Sequence, residues 1–74
     1  MKKKIAILGS TGSIGQSTLD VISKDKKNFN IIFLSANNNY KKLVQQAIEF
    51  KAKNVLINNN LFYKKVKIAL KKTL

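Results

Sequence analysis

The chain has 74 residues, enough for one small domain with a limited core, and it contains neither cysteine nor histidine. Disulfide frameworks, thiolate zinc sites and nucleophile systems that pair Ser or Cys with His are therefore excluded within these residues. Fifteen basic and three acidic residues give a formal charge of +12, so an anionic partner has to be considered.

The positive charge has two interpretations. All fifteen basic residues are lysine, whereas bidentate recognition of phosphates and bases favours arginine. Lysine together with abundant asparagine and isoleucine is also the composition that an AT-rich coding sequence produces. We therefore interpret the lysines as solvated surface and expect no nucleic-acid partner. A lysine-rich protein that binds nucleic acid or other anions is the alternative.

At the amino terminus, Lys2, Lys3 and Lys4 precede the apolar run Ile5–Leu8. Four apolar residues before a glycine are too few for a signal peptide or a membrane span. We therefore expect a cytoplasmic protein that makes no contact with a membrane.

Three short apolar runs predict the strands. They are Ile5–Leu8, Ile31–Leu34 and Val55–Ile57, and they recur at a spacing of about 25 residues, the length of one strand-helix unit. None of the runs alternates apolar with polar residues. Continuous apolar runs are typical of parallel strands that are covered on both faces.

Each apolar run is followed by a helical pattern with one apolar face. The first helix is predicted to face inward through Ile14, Thr18, Val21 and Ile22. The second presents Tyr40, Leu43, Val44, Ala47 and Ile48 inward and Lys41, Lys42, Gln45 and Gln46 outward. The third runs from about residue 61 to residue 72, with Leu61, Phe62, Val66, Ala69 and Leu70 inward.

The order of elements is therefore β-α-β-α-β-α. Right-handed crossovers give a parallel sheet with strand order 3-2-1, which is a Rossmann-like, three-layer α/β fold and half of a doubly wound sheet. The first strand has nothing on its far side, and natural proteins avoid such an unpaired apolar edge. We expect residues 1–74 to be the first part of a nucleotide-binding domain, either cut from a longer polypeptide or a truncated gene product.

A glycine-rich loop joins the first strand to the first helix. Gly9, Gly12 and Gly15 are spaced as G-x-x-G-x-x-G, and no Gly-Lys-Ser/Thr follows, which excludes a Walker loop. Glycines permit a tight turn and close approach of a diphosphate, and the free N–H groups and dipole of the helix attract the anion. The loop therefore predicts dinucleotide binding, with a purely structural turn as the alternative.

The loop after the second strand indicates which nicotinamide nucleotide is bound. Ser35 is followed by Ala36 and the asparagines 37–39, with Lys41 and Lys42 close behind, and no carboxylate is present to accept the ribose hydroxyls of NAD. Hydroxyl, amide and ammonium donors suit a 2′-phosphate, so the sequence favours NADP(H) over NAD(H). The alternative is that these are ordinary loop asparagines, which also serve as helix N-caps, and surface lysines.

The run from Ile7 to Gly15, continued by the segment Ser17–Ile22, closely resembles the amino terminus of the 1-deoxy-D-xylulose 5-phosphate reductoisomerases. The similarity extends through Ile31–Leu34 to Leu43–Phe50 and covers essentially the whole chain. A glycine loop joined to Thr-Leu-Asp-Val-Ile is far more specific than a generic dinucleotide-binding pattern.

The resemblance implies an NADPH-dependent enzyme of the non-mevalonate isoprenoid route. Such an enzyme converts 1-deoxy-D-xylulose 5-phosphate to 2-C-methyl-D-erythritol 4-phosphate with a divalent metal (Mg, Mn or Co), and the parent enzyme is expected to be a homodimer that acts on this small phosphate substrate. The positions that would contact NADPH are Thr11, Gly12, Ser13, Ile14, Asn37, Asn38 and Asn39.

The sequence departs from the family pattern at two of these positions. Family members usually carry glycine at the position of Asn37 and often a basic residue at the position of Asn38. Asparagine tolerates the positive φ that a glycine position can require, so the first change is mild. Loss of a cation at the second position weakens binding of a 2′-phosphate unless Lys41 or Lys42 substitutes.

No catalytic residue and no metal ligand can be assigned in this chain. Its acidic residues are Asp20, Asp25 and Glu49, which are dispersed, and a metal needs several converging oxygen ligands. We expect the chain alone to be inactive. The alternative is another NADP-dependent oxidoreductase, such as a semialdehyde dehydrogenase. Those enzymes begin with a similar loop and would carry a nucleophilic cysteine further along the chain.

Overall fold

A computed structural model describes residues 2–73, with side chains for residues 2–71. Strands and helices alternate along the chain as the sequence predicts. Their bounds are β1 Lys3–Ile7, α1 Ser13–Ser23, β2 Phe29–Ala36, α2 Tyr40–Phe50, β3 Asn54–Ile57 and α3 Tyr63–Thr73. Single 3-10 turns at Lys26–Asn28 and Asn60–Phe62 precede β2 and α3.

The sheet is parallel throughout, and β2 lies between β1 and β3. This is the predicted 3-2-1 order. The register of β1 against β2 shifts between Ile5 and Ala6, so Ile5 pairs with Ile31 and Ala6 with Phe33. Within the described residues β1 has no second neighbour, so the edge of the sheet beside β1 is free.

All three helices contribute to one buried cluster on one face of the sheet. Ile31 and Leu34 of β2 and Leu43 of α2 are almost completely buried at its centre. The cluster is completed by Ile7, Leu19, Ile22, Ala36, Ile57 and Val66. None of the helices in the described part of the chain is long and apolar enough to cross a membrane.

The other face of the sheet is open. Leu56 is 47% exposed between the half-buried Val55 and the buried Ile57, and Ala6 is exposed between Ile5 and Ile7. The prediction of strands covered on both faces is therefore not met within the described residues. Ala6 and Leu56 on this face are apolar side chains without cover within the described residues.

Helix α1 packs through a face that shares only Ile22 with the predicted one. Gly15, Leu19 and Ile22 are buried, whereas Ile14 and Val21 are 84% and 66% exposed. The prediction was wrong because it ranked side chains by hydrophobicity alone. A helix approaches the backbone of its neighbour most closely at a glycine, and Gly15 fixes which face turns inward.

Two positions of α2 and one position just before α3 were also misassigned. Gln46 of α2 is buried and Ile48 is 46% exposed, the reverse of the prediction for both. Leu61, predicted to face inward, is 80% exposed because it lies in the 3-10 turn before α3 and not in the helix itself.

Candidate functional site

Three loops meet at the edge of the sheet where the strands end. The Ser10 N–H donates to the Ser35 carbonyl (2.8 Å), which joins the loop after β1 to the end of β2. The Asn59 N–H donates to the Asn37 carbonyl (3.0 Å), which joins the loop after β3 to the loop after β2. Open α/β sheets bind their ligands at this carboxyl edge.

Two of the three glycines are required by the fold. Gly9 has φ +68°, a left-handed conformation that other residues rarely adopt. A Cβ on Gly15 would overlap the Gly9 carbonyl oxygen and lie 2.6 Å from Ser10 Cα, so glycine is needed there for the helix to reach the loop. Both glycines serve the turn itself.

Gly12 is different from the other two glycines. It is exposed, its backbone is extended (φ −77°, ψ 174°), and a Cβ on it would lie 3.4 Å from the Gly9 carbonyl oxygen, at ordinary contact distance. The fold therefore tolerates a side chain at Gly12. The turn itself does not require glycine at this position.

The amino terminus of α1 presents unpaired N–H groups beside Gly12. Within the described residues the N–H groups of Ser13, Ile14 and Gly15 have no acceptor, and no side chain caps the helix. The Gly12 N–H donates to the Gly9 carbonyl (3.1 Å) and closes the turn. The missing side chain of Gly12 leaves open space beside the helix terminus, and the next three residues have N–H groups free to donate.

The side chains of the loop lie at its open surface. Ser13 and Ile14 are exposed and Thr11 is half-buried. The Thr11 carbonyl accepts a hydrogen bond from Gln16 Nε2 (2.7 Å), which holds the loop backbone against the first turn of α1. The Thr11 and Ser13 hydroxyls make no hydrogen bond within the described residues and are available to a ligand.

Ser10 and Gln46 form a buried pair that anchors the glycine loop to α2. The sequence analysis missed this pair. Ser10 Oγ–H donates to Gln46 Oε1 (2.7 Å), and Gln46 Nε2–H donates to the Ser10 carbonyl (2.9 Å). The Gly9 N–H also donates to Ser35 Oγ (3.2 Å). The spacing of Gln46 three residues after Leu43, on the inward face of α2, was the available signal.

The asparagines after β2 are exposed, and each has a defined partner. Asn39 caps α2, because its Oδ1 accepts the Lys42 N–H (3.2 Å). Asn37 and Asn38 are bonded to the side chains of the loop after β3. Among the described residues Lys51 is the one non-glycine with positive φ, so Asn37 does not need the conformational freedom of glycine.

The acidic side chains do not form a metal site. Within the described residues no three side chains of the His, Cys, Asp and Glu types come together. Both Asp25 carboxylate oxygens accept from Asn28 Nδ2 (2.8 and 2.9 Å), and Glu49 forms a half-exposed ion pair with Lys26 (3.9 Å). These residues do not fit a divalent cation.

Comparison with known proteins assigns the family. The family model of 1-deoxy-D-xylulose 5-phosphate reductoisomerase matches residues 5–74, which is nearly the whole chain. The chain belongs to the 1-deoxy-D-xylulose 5-phosphate reductoisomerase family. This assignment decides against the semialdehyde dehydrogenase alternative.

Two reductoisomerases illustrate the similarity in sequence. The enzyme of Pelagibacter ubique is 56% identical over 57 residues, covering 77% of this chain and 15% of the relative. The enzyme of Porphyromonas gingivalis is 49% identical over 70 residues, covering 95% of this chain and 18% of the relative. The chain therefore spans less than a fifth of the length of these reductoisomerases.

A solved structure of the family supports the fold. The reductoisomerase from Zymomonas mobilis, in complex with NADPH, superposes with a TM-score of 0.94 at 38% sequence identity. The match covers 97% of this chain and 19% of the other. The fold of residues 2–73 is thus the fold of a segment of a reductoisomerase.

Proposed function

We propose that this chain is the N-terminal part of the NADPH-binding domain of a reductoisomerase. The parent enzyme would convert 1-deoxy-D-xylulose 5-phosphate to 2-C-methyl-D-erythritol 4-phosphate. One observation carries the proposal: the unpaired N–H groups of Ser13, Ile14 and Gly15 directly follow an exposed Gly12, in a chain that superposes on a relative solved with NADPH. This arrangement suits a diphosphate.

The glycine loop and the first turn of α1 would bind the diphosphate of the nucleotide. The N–H groups of Ser13, Ile14 and Gly15 would donate to the diphosphate oxygens, and the hydroxyls of Thr11 and Ser13 are close enough in sequence to add further donors. The exposed Ile14 side chain supplies an apolar surface next to these polar groups. Unpaired helix N–H groups need no reorganisation to receive an anion.

The loop Asn37–Asn39 would hold the adenosine ribose and its 2′-phosphate. It carries amide donors and no carboxylate, and it follows closely on Ser35 of β2, which accepts hydrogen bonds from the Gly9 and Ser10 N–H groups of the glycine loop. A carboxylate at this place would repel a 2′-phosphate, so its absence supports NADPH over NADH. Lys41, on the first turn of α2, provides a nearby exposed cation.

The chemistry itself needs more than this chain. NADPH supplies a hydride when bound, and the residues described here bind and orient the nucleotide. The described carboxylates do not assemble a metal site, and we expect the isolated chain to be inactive. Family membership supports a small sugar-phosphate substrate for the parent enzyme, and a cytoplasmic homodimer remains our expectation for it.

Binding of NADPH to the 74-residue chain, measured by calorimetric titration, tests the proposal. Gly12→Val adds a branched side chain where the diphosphate would approach, while the extended backbone of Gly12 accepts valine. We expect the variant to lose at least about tenfold in NADPH affinity, the size of one lost charge-assisted hydrogen bond, with its Tm retained. Ser17→Val, on the exposed surface of α1, is the matched control.

An affinity resin distinguishes specific recognition of the nucleotide from general attraction of anions to the lysines. Bound to a resin that carries an NADP analogue, the chain should be released by free NADPH at constant ionic strength. Release by salt alone, with no effect of NADPH, would favour the anion-binding alternative. Retention of full NADPH affinity by Gly12→Val would show that the nucleotide binds elsewhere.

A further inference from the structure

The loop after β3 is joined to the loop after β2 by a ladder of hydrogen bonds. The N–H groups of Asn58 and Asn59 donate to the carbonyls of Ala36 (2.9 Å) and Asn37 (3.0 Å), which extends the parallel pairing beyond the strands. The side chains repeat the pattern, since Asn58 Nδ2 donates to Asn37 Oδ1 (2.5 Å) and Asn59 Nδ2 to Asn38 Oδ1 (2.8 Å). Four asparagines thus face one another in two pairs.

One of these pairs has a fixed orientation. The Leu61 N–H can only donate, and it donates to Asn59 Oδ1 (3.0 Å). The opposite side of the Asn59 amide is therefore its NH2 group, which requires an acceptor. Asn38 must present Oδ1 to Asn59, so its own NH2 group faces away.

The backbone of Asn38 is also held in place. Its carbonyl accepts the Tyr40 N–H (2.8 Å), so the remaining freedom lies in the side chain, which Asn59 restrains. The Asn38 NH2 group has no partner within the described residues, and the residue is exposed. The Asn37–Asn58 pair lacks an equivalent restraint, because no described group fixes the outer end of the Asn58 amide.

We propose that Asn59 is a positioning residue for nucleotide selection: it keeps the Asn38 amide turned with its donors toward the 2′-phosphate that distinguishes NADPH from NADH. The inference rests on the proposed function, in which the loop Asn37–Asn39 receives that phosphate. A phosphate accepts hydrogen bonds only, so the NH2 group of an amide attracts it and the amide oxygen repels it. Without a cation at position 38, the orientation of this amide determines the sign of the interaction.

Asn59→Asp tests the inference directly. The aspartate still accepts the Leu61 N–H, as a good N-cap does, so the fold is retained. A carboxylate cannot donate to Asn38 Oδ1, so the Asn38 amide must reverse and turn its oxygen outward. We expect NADPH affinity to fall by about tenfold or more while NADH affinity stays within about threefold, so the ratio of the two dissociation constants changes.

Asn60→Asp is the matched control. It introduces the same charge one residue further along, on an exposed side chain that makes no hydrogen bond within the described residues. A general electrostatic effect would lower the NADPH preference equally in both variants. The inference requires a loss in Asn59→Asp that exceeds the loss in Asn60→Asp severalfold.

A second variant separates orientation from stability. Asn38→Lys supplies a cation that no rotation can turn into an acceptor, so a further Asn59→Ser change, which keeps an N-cap acceptor and adds no charge, should leave the NADPH preference of Asn38→Lys unchanged. The measurement is calorimetric titration with NADPH and NADH, together with the phosphorus chemical shift of bound 2′,5′-ADP.

The outcomes separate the inference from the proposed function. If the wild-type chain prefers NADPH and Asn59→Asp leaves the preference unchanged, or if Asn60→Asp removes it equally, the role of Asn59 is wrong and the nucleotide site stands. If the wild-type chain binds NADPH and NADH equally, the 2′-phosphate is not held by this loop, and the inference fails together with the proposed NADPH preference while the diphosphate site stands. If the chain binds neither nucleotide, both proposals fail.

Discussion

Ser10 and Gln46 are 36 residues apart in the sequence and exchange two hydrogen bonds in the interior of the domain. Ser10 is completely buried and Gln46 is 6% exposed, so solvent cannot readily replace either residue as a hydrogen-bond partner. The pair ties the loop that faces the proposed nucleotide to the middle of α2. A loop anchored in this way keeps its shape before the ligand arrives, which lowers the cost of binding.

Replacing Gln46 by leucine should destabilise the chain. The Ser10 hydroxyl and carbonyl would then be buried without partners, and we expect a loss of about 1–3 kcal/mol in the free energy of unfolding. Gln45→Leu, on the exposed side of the same helix, should change it by less than about 0.5 kcal/mol. Urea denaturation followed by circular dichroism measures both, and equal stabilities would show that Ser10 does not depend on Gln46.

Gly15→Ala should destabilise the chain although glycine is a poor helix former. In an exposed helix this substitution stabilises by about 1 kcal/mol. Here the new Cβ would overlap the Gly9 carbonyl and the Ser10 backbone, so we expect a net loss of about 1–3 kcal/mol in the free energy of unfolding.

Gly12→Ala provides the comparison in the same loop. Its Cβ meets ordinary contact distance and its backbone is extended, but Gly12 is the N-cap of α1, where alanine is less favourable than glycine. The two effects oppose each other, so we expect the free energy of unfolding to change by less than about 1 kcal/mol. Thermal unfolding of the two variants side by side gives the answer. A Gly15→Ala variant as stable as Gly12→Ala would mean that α1 can move away from the loop without cost.

What the sequence predicted correctly depends on local patterns. The three strands, their order and the glycine turn follow from apolar runs, their spacing and right-handed crossovers. What it missed depends on contacts between distant segments. Gln46 was assigned to the polar face because its partner Ser10 is 36 residues away, and the pairing of Asn59 with Asn38 needed the register of β3 against β2.

The inward face of α1 shows the same limit. The predicted stripe consisted of Ile14, Thr18, Val21 and Ile22. Of these only Ile22 is buried, together with Gly15 and Leu19. Periodicity identifies that a helix has an apolar face, and close approach to a neighbouring backbone decides which face it is.

The packing of α1 can be tested with two truncations of similar size. Leu19 is 3% exposed within the core cluster, so Leu19→Ala should lower the free energy of unfolding by about 2–5 kcal/mol. Val21 is 66% exposed, and Val21→Ala should cost less than about 0.5 kcal/mol. If the predicted stripe faced the core, Val21→Ala would cost more than Leu19→Ala. A large loss of stability in Val21→Ala would therefore support the predicted stripe.

The charge of the chain should make its stability depend on ionic strength. Fifteen lysines and three acidic residues give +12, and the Lys26–Glu49 pair is long and half-exposed, so it offsets little of the repulsion. Salt shortens the screening length from about 30 Å at 0.01 M to about 8 Å at 0.15 M.

We therefore expect Tm to rise between about 10 mM and about 150 mM NaCl. The corresponding gain in the free energy of unfolding should be on the order of 1 kcal/mol, the size of a few surface charge pairs. Glu49→Gln removes one of the three acidic residues, so it should steepen the dependence while costing little at the higher salt concentration. Thermal unfolding followed by circular dichroism measures both chains. A Tm that does not change with salt would show that the lysines are already far enough apart for solvent to screen them.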